Sequence, residues 1–373
     1  MNRHARLVRS TGTHRGRLLR SLGILFMAVL ASMVLVASQA TAESQYLSVR
    51  DYGAQGNGTA DDYAAISACI TAAARADKEV FLPAGTYRIS EAIWLPTGDP
   101  NYNNMTIYGA GIGKTILTMP QNAGETYMFV AGNLSGLALS DMTFHTPVSD
   151  PPGVCAINAR GMQNSSLKRI RVENVDYGFK LGSGNQAHGW TIEDQSSRNV
   201  GVVTMFLANV SDSTFKNLDF QNRVDSGRGM CLYVERENHN LAFENLTCRG
   251  GSKYTMQLYN GYGTEPSDHV TFTNTVIDAT SARHALAISG GFAYITFDTL
   301  SITQPSTNMA CINFYNPSHV VINDVTASGG FSLITCSTAP DDYPTDCVIR
   351  GGTYVGPTIG SVPGVTVIDV ARF

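Results

Sequence analysis

The chain has 373 residues, 43% hydrophobic and only 15% charged, with 36 glycines and 14 prolines, a balance that excludes disordered and collagen-like chains. Residues 1–42 hold six arginines and no Lys, Asp or Glu, so the net charge of −4 becomes −10 over residues 43–373. A body this acidic lacks the basic surface that phosphates require, so no nucleic-acid partner is expected.

Residues 1–42 read as a secretory signal peptide. Arg3, Arg6, Arg9, Arg15, Arg17 and Arg20 precede an uncharged apolar run from Leu22 to Ala37, and Ala40-Thr41-Ala42 supplies small residues for cleavage before Glu43. The alternative is a retained membrane anchor, since the run is slightly short of the roughly 17–25 residues that span a bilayer. The expectation is a secreted protein with no stable membrane insertion once the leader is removed. Residues 43–373 then form one domain.

Asp61 and Asp62 precede Ala64–Ala74, where Ile66, Cys69, Ile70 and Ala73 share one face at helical spacing. Carboxylates suit the free amides of a helix start. The spacing predicts an amphipathic helix that closes the open end of a solenoid.

From about residue 133 one phrase recurs: an apolar-centred triplet, a turn residue, a short strand, a variable loop and a third short strand. It reads Leu137-Ala138-Leu139-Ser140-Asp141, Thr191-Ile192-Glu193-Asp194, Thr214-Phe215-Lys216-Asn217 and Ala242-Phe243-Glu244-Asn245. It returns at Thr271–Asn274, Thr296–Thr299, Val321–Asp324 and Val348–Gly351, while Leu167-Lys168-Arg169 fits less cleanly. Successive turn positions from Asp194 lie 23, 28, 29, 25, 25 and 27 residues apart, the drifting period of a solenoid with variable loops. Asn or Asp tolerates a left-handed turn, and its side chain can bond the same residue one coil away. The fold class is therefore all-β, a right-handed parallel β-helix of roughly nine or ten coils with an N-terminal capping helix. A β-sandwich would show turns every 8–12 residues or so and no three-strand period.

Val49-Arg50-Asp51-Tyr52-Gly53-Ala54-Gln55-Gly56-Asn57-Gly58-Thr59-Ala60-Asp61-Asp62, then Ala65-Ile66 and Val80-Phe81-Leu82-Pro83-Ala84-Gly85-Thr86-Tyr87, resembles the N-terminal signature of the pectate lyase-like superfamily. The likeness is specific over residues 46–118, and its glycines, aspartates and proline-glycine turn have structural roles in turns and caps. It implies a carbohydrate-active β-helix with a polysaccharide partner and leaves the reaction open.

In that superfamily the polysaccharide lies along the strand after the variable loop. Those strands here are Ala156–Arg160, Gly178–Leu181, Val203–Leu207, Met230–Glu235, Met256–Tyr259, Leu286–Ser289, Ile312–Tyr315 and Leu333–Cys336. Alternation with inward Phe179, Leu181, Leu232, Val234, Met256, Leu258, Ile312 and Phe314 leaves Lys180, Cys231, Tyr233, Glu235, Gln257, Tyr259, Asn313 and Tyr315 facing out. Rings beside amides and charges suit sugars, so Lys180, Tyr233, Gln257, Tyr259, Asn313, Tyr315 and the loop residue Tyr254 are candidate substrate contacts. Arg228, Lys253 and Arg283 fall at equivalent places in three consecutive coils and predict a short cationic ladder.

Two chemistries compete. A lyase needs a cation at the uronate carboxylate and a base, for which Lys253, Arg228, Arg283 and His284 are the candidates, with calcium as the one cofactor the resemblance admits. A hydrolase needs two carboxylates roughly 5–9.5 Å apart, for which the groove offers Glu235 and the loop residue Asp225. The polygalacturonase series of Asn-Thr-Asp, Asp-Asp, His-Gly and Arg-Ile-Lys is absent, with Arg169-Ile170-Arg171 preceding His188-Gly189 in the wrong order, and so is the Asp-Pro-His motif of alginate epimerases. The leading expectation is β-elimination on an extracellular uronate-containing polysaccharide; a glycoside hydrolase using Glu235 and Asp225, or a non-catalytic glycan-binding helix, stands as the alternative.

Seven cysteines follow the leader without a CxxC pair, and Cys336 with Cys347 is the expected disulfide. Asp341-Asp342 reads as a solvated pair, with a weak cation site as the alternative. Gly109–Thr115 only resembles a phosphate loop and reads as a coil corner.

Overall fold

The computed structural model describes residues 44–120, 127–147, 153–224, 229–251, 254–261, 265–279, 284–336 and 340–373. From Tyr46 onward the chain winds as a right-handed parallel β-helix of about 10 turns. One parallel sheet, called the front sheet, stacks ten strands in chain order. They are β1 (Ile93–Trp94), β2 (Tyr127–Gly132), β3 (Cys155–Arg160), β4 (Tyr177–Leu181) and β5 (Val203–Ala208). The stack continues with β6 (Met230–Glu235), β7 (Tyr254–Tyr259), β8 (His284–Ser289), β9 (Ile312–Tyr315) and β10 (Ile334–Cys336).

The other strands join one 19-stranded sheet. Here the structure departs from the expected three short strands per coil, because the first and second run together. Val210–Gln221, His239–Arg249, Ser267–Asp278 and Phe292–Gln304 are each continuous. Two left-handed residues bend each of them without breaking the ladder; at the repeat's turn position these are Asn217, Asn245, Asn274 and Thr299, with φ of 55°, 58°, 57° and 63°. Arg169 occupies this turn position in the irregular coil, with φ 50°, and donates from Nε and a terminal nitrogen to both Asp141 carboxylate oxygens at 2.6 and 2.7 Å.

The turn residues form the expected ladder. Asn217 Nδ2 donates to Asp194 Oδ1 at 2.9 Å, Asn245 Nδ2 to Asn217 Oδ1 at 3.0 Å, and Asn274 Nδ2 to Asn245 Oδ1 at 3.1 Å. Asn245→Ala removes two rungs and leaves a Cβ-bearing residue without the Asn tolerance for left-handed backbone. Its expected cost is about 1–3 kcal/mol, read from urea unfolding midpoints.

Below the ladder the inward residues stack. Phe215, Phe243, Phe272 and Phe297 are fully buried, or nearly so, with ring centroids 4.4, 4.6 and 4.5 Å apart and planes within 14°. The parallel register forces this column, since Phe215 pairs with Phe243, Phe243 with Phe272 and Phe272 with Phe297.

Helix α1 (Tyr63–Ala76) buries Ile66, Cys69, Ile70 and Ala73 against the first coil, as the spacing predicts. Of the two aspartates before it, Asp61 Oδ1 accepts from Tyr63 N at 3.3 Å, whereas Asp62 turns inward and binds Gln55 N at 2.6 Å and Gly56 N at 3.0 Å. Thr115 closes the Gly109–Thr115 corner: its Oγ1 accepts from Ala110 N at 2.8 Å and donates to Leu82 O at 2.9 Å.

All seven cysteines are free thiols, so the expected Cys336–Cys347 pair is not formed. Cys347 turns its Sγ to Thr345 O at 3.3 Å inside the core, while Cys336 ends the last front strand, half-buried. Among the described residues no helix is long and apolar enough to cross a membrane. The leader, residues 1–42, lies outside the described residues.

Candidate functional site

The outer face of the front sheet is ruled by register. Asn158, Lys180, Phe206, Tyr233, Gln257, Ala287, Asn313 and Thr335 are partners in one row crossing β3 to β10. Two residues along, a second row places Ala208 beside Glu235 and Glu235 beside Tyr259, with Ser289 beside Tyr315 further on. Parallel pairing with no shift between coils makes the rows straight, so side chains of one type fall at about 4.8 Å intervals.

Lys180, Tyr233, Glu235, Gln257, Tyr259, Asn313 and Tyr315 all lie on these two rows. Cys231 does not, which corrects its assignment to the outer face. It is fully buried, with Sγ 3.2 Å from Arg249 O and 3.7 Å from Phe220 O. The physical reason lies in its neighbours: the carbonyls that meet Cys231 come from the ends of the long strands Val210–Gln221 and His239–Arg249. Thr255 and Cys311, at the same place in later coils, are likewise buried and donate to Gly250 O at 2.8 Å and Gly329 O at 3.6 Å.

Within the ten front strands Glu235 is the one carboxyl, and Arg160 and Lys180 are the only Lys or Arg. Glu235 is 8% exposed. Burial pushes its carboxyl above the usual value near 4.5, and the charges of Arg236 and Lys180 oppose that rise. The Lys180 ammonium sits 5.2 Å from the Tyr177 ring centre and 5.8 Å from that of Phe206. It forms no ion pair among the described residues, and ring faces hold it. Phe206 in turn meets Tyr233 edge-on at 5.5 Å.

Asn158 extends the polar row. It is 1% exposed, its Oδ1 accepts from Arg160 Nε at 3.4 Å, and its Nδ2 has no hydrogen-bond partner among the described residues. A buried orphan amide is costly and calls for an acceptor. Asn158, Arg160 and Phe206 are legible from the same alternation, since Ile157, Ala159, Met205 and Leu207 point inward.

Of the other expected catalytic residues, His284 alone lies among the described residues. Arg228, Asp225, Lys253 and Arg283 lie outside the described residues, and the cationic ladder with them. His284 pairs with Tyr254 at the start of the front strands, ring centres 6.2 Å apart, and its Nδ1 meets Ala310 O at 3.2 Å. Glu235 pairs with Tyr259 at the opposite end, five residues away along the strand, or about 16 Å. His284 and Tyr254 therefore belong to one edge of the face and Glu235 to the other.

Tyr315 donates its phenol to Asp342, which pushes the phenol above its usual value near 10. That contact gives Asp342 a partner where a cation had been the alternative. Among the described residues no group of three or more His, Cys, Asp or Glu is placed to hold a metal ion.

A profile described as rhamnogalacturonase A/epimerase, pectate lyase-like, matches residues 46–260. The chain belongs to this family. Among relatives of this family member, mannuronan C5-epimerase AlgE6 of Azotobacter vinelandii is 28% identical over 264 residues, 60% of this chain and 29% of AlgE6. AlgE3 of the same organism is 39% identical over 102 residues, 26% of this chain and 6% of AlgE3. The chain thus spans under a third of either relative. Among solved structures, the AlgE6 A-module superposes with a TM-score of 0.63 at 17% identity, covering 87% of this chain and 99% of that module. The enzymatically active domain of bacteriophage CBA120 tailspike protein 2 gives 0.67 at 14% identity, covering 87% and 52%. These likenesses concern the fold.

Proposed function

We propose that this protein is exported and acts on a uronate-containing polysaccharide laid along the front sheet. Its chemistry begins with removal of the proton on the carbon next to the sugar carboxylate. The observation that carries the reading is that one buried carboxyl, Glu235, and one cation without an ion-pair partner among the described residues, Lys180, share an aromatic and amide-rich face.

That carbon holds its proton weakly only when the charge arriving on the carboxylate is stabilised. Lys180 supplies a fixed positive charge for it, and Asn158 Nδ2 an unused donor in the same row. Glu235 is the base. Its burial makes it a stronger proton acceptor than a solvated carboxylate, the usual tuning of catalytic glutamates. Tyr233, Gln257 and Tyr259 flank it and hold the sugar ring. Removal of this proton is the first half of β-elimination and also of epimerisation at the same carbon, the reaction in the names of the Azotobacter relatives. Absence of an Asp-Pro-His motif in this chain favours elimination. A hydrolase would need a second carboxyl facing Glu235; the ten front strands hold none, and the loop candidate Asp225 lies outside the described residues.

Incubation with pectate, alginate and glucuronan in deuterated water tests this. Elimination yields products with ultraviolet absorbance, whereas epimerisation yields inverted uronates carrying deuterium. New reducing ends with neither signal would replace the reading with hydrolysis, and no product on any uronan would leave a binding protein.

A further inference from the structure

A second unusual surface lies on the 19-stranded sheet, away from the front strands. At one corner six consecutive coils each place a left-handed residue: Asp212, Asn240, His269, Tyr294, His319 and Asp346, with φ between 50° and 55°. Asp and Asn adopt this conformation readily. A tyrosine does not, so holding Tyr294 there strains the backbone.

The strain is not offset by burial, since Tyr294 is 51% exposed. Its ring lies between two imidazoles instead, 5.2 Å from His269 and 4.6 Å from His319, with planes within 24°. The stack forms one wall of a groove of about 650 Å³. Ala242, Thr271, Thr296 and Val321 line it in register, one per coil. The groove therefore runs along the solenoid axis, repeating a small methyl or hydroxyl and a ring edge at about 4.8 Å.

Its charge sets the ligand. No Lys or Arg lines the groove, Asp346 stands at one end 3.7 Å from His319 Nε2, and Asp268 lies behind His269 at 3.1 Å. A polyanion would meet carboxylates without a compensating cation. An uncharged chain of hydroxylated rings meets methyl groups for its C–H faces, and threonine, phenol and imidazole groups for its hydroxyls.

We infer that this ladder is an ancillary binding site for a neutral glycan chain, separate from the front-sheet groove. Tyr294 is its central contact, and its strained backbone is retained because only an aromatic residue there keeps the ring wall continuous.

Native electrophoresis of the full chain through gels carrying mixed-linkage β-glucan, galactomannan or dextran tests it, with pectate gels alongside. At least one neutral glycan is expected to retard the protein. Tyr294→Asn should weaken that binding at least about tenfold while leaving the melting temperature unchanged or higher, since Asn suits the backbone. Thr296→Glu, which fills the groove without touching the stack, should have the same effect on binding. Lys180→Ala should leave neutral-glycan binding intact. A wild type retarded by none of the three neutral glycans would overturn the inference. So would Tyr294→Asn and Thr296→Glu proteins that bind normally, or loss of binding in Lys180→Ala.

Discussion

Glu235→Gln is expected to lower turnover of a uronate polysaccharide by about 10²–10⁴-fold, the usual contribution of a positioned base. The amide keeps the shape and removes the proton acceptor, so substrate binding should change little. The pH profile offers an independent readout. Because burial raises the Glu235 carboxyl, activity should be lost as pH falls through a value above the ordinary carboxylate range.

Stability should move the opposite way. A glutamate whose folded value is raised contributes stability that is fully present below its unfolded value, near 4.5, and lost as pH rises through the folded one. Glu235→Gln should therefore unfold at the same or a slightly higher urea concentration at neutral pH, with the gain appearing only as pH climbs out of the acid range. An inactive variant that is also markedly less stable at pH 7 would point to a packing role for Glu235 and sink the proposed base. Lys180→Met, which keeps much of the stem packed on Tyr177 and Phe206, should also lose activity; arginine there should restore part of it.

The largest expected loss of stability comes from Phe243→Ala. Phe243 is 2% exposed and touches ring neighbours on both sides, Phe215 at 4.4 Å and Phe272 at 4.6 Å. Removing it leaves a cavity that the flanking coils cannot close, because both are pinned by continuous parallel ladders. The expected cost is about 3–5 kcal/mol, seen as a lower urea midpoint. Phe243→Leu should recover more than half of that. A solenoid transmits core damage mainly to nearest neighbours, so the loss should appear as a broader transition as well as an earlier one. A cost for Phe243→Ala within error of zero would mean the stack is not the stabilising column its geometry describes.

Much of this was legible in the residues. The turn ladder at Asp194, Asn217, Asn245 and Asn274, the phenylalanine column and helix α1 all follow from local rules: a left-handed turn favours Asn, an inward position favours an apolar side chain, and a solenoid end needs a cap. The outward set from Lys180 to Tyr315 follows from strict alternation within β4, β6, β7 and β9. These features repeat with the chain's own period, so a linear sequence displays them.

What alternation could not convey is what happens where strands meet corners or where neighbours come from other coils. Cys231 has the phase of an outward residue, yet the ends of two long strands close around it. The union of the first and second strands into one ladder depends on how sharply Asn217 and its equivalents bend the chain. Glu235 reads as an ordinary surface glutamate, and only its burial among neighbouring coils changes its proton affinity. His284 and Glu235 share a candidate face in sequence, but the strand register sets them at its two edges. The ring wall of His269, Tyr294 and His319 is spread over some 50 residues and has no local signature. By itself the sequence determined the coil, its period and its inward face, because those arise from contacts repeated at every turn. Tertiary structure alone decided burial, charge pairing and which coils share a groove, because those depend on side chains that only the stacking of turns brings together.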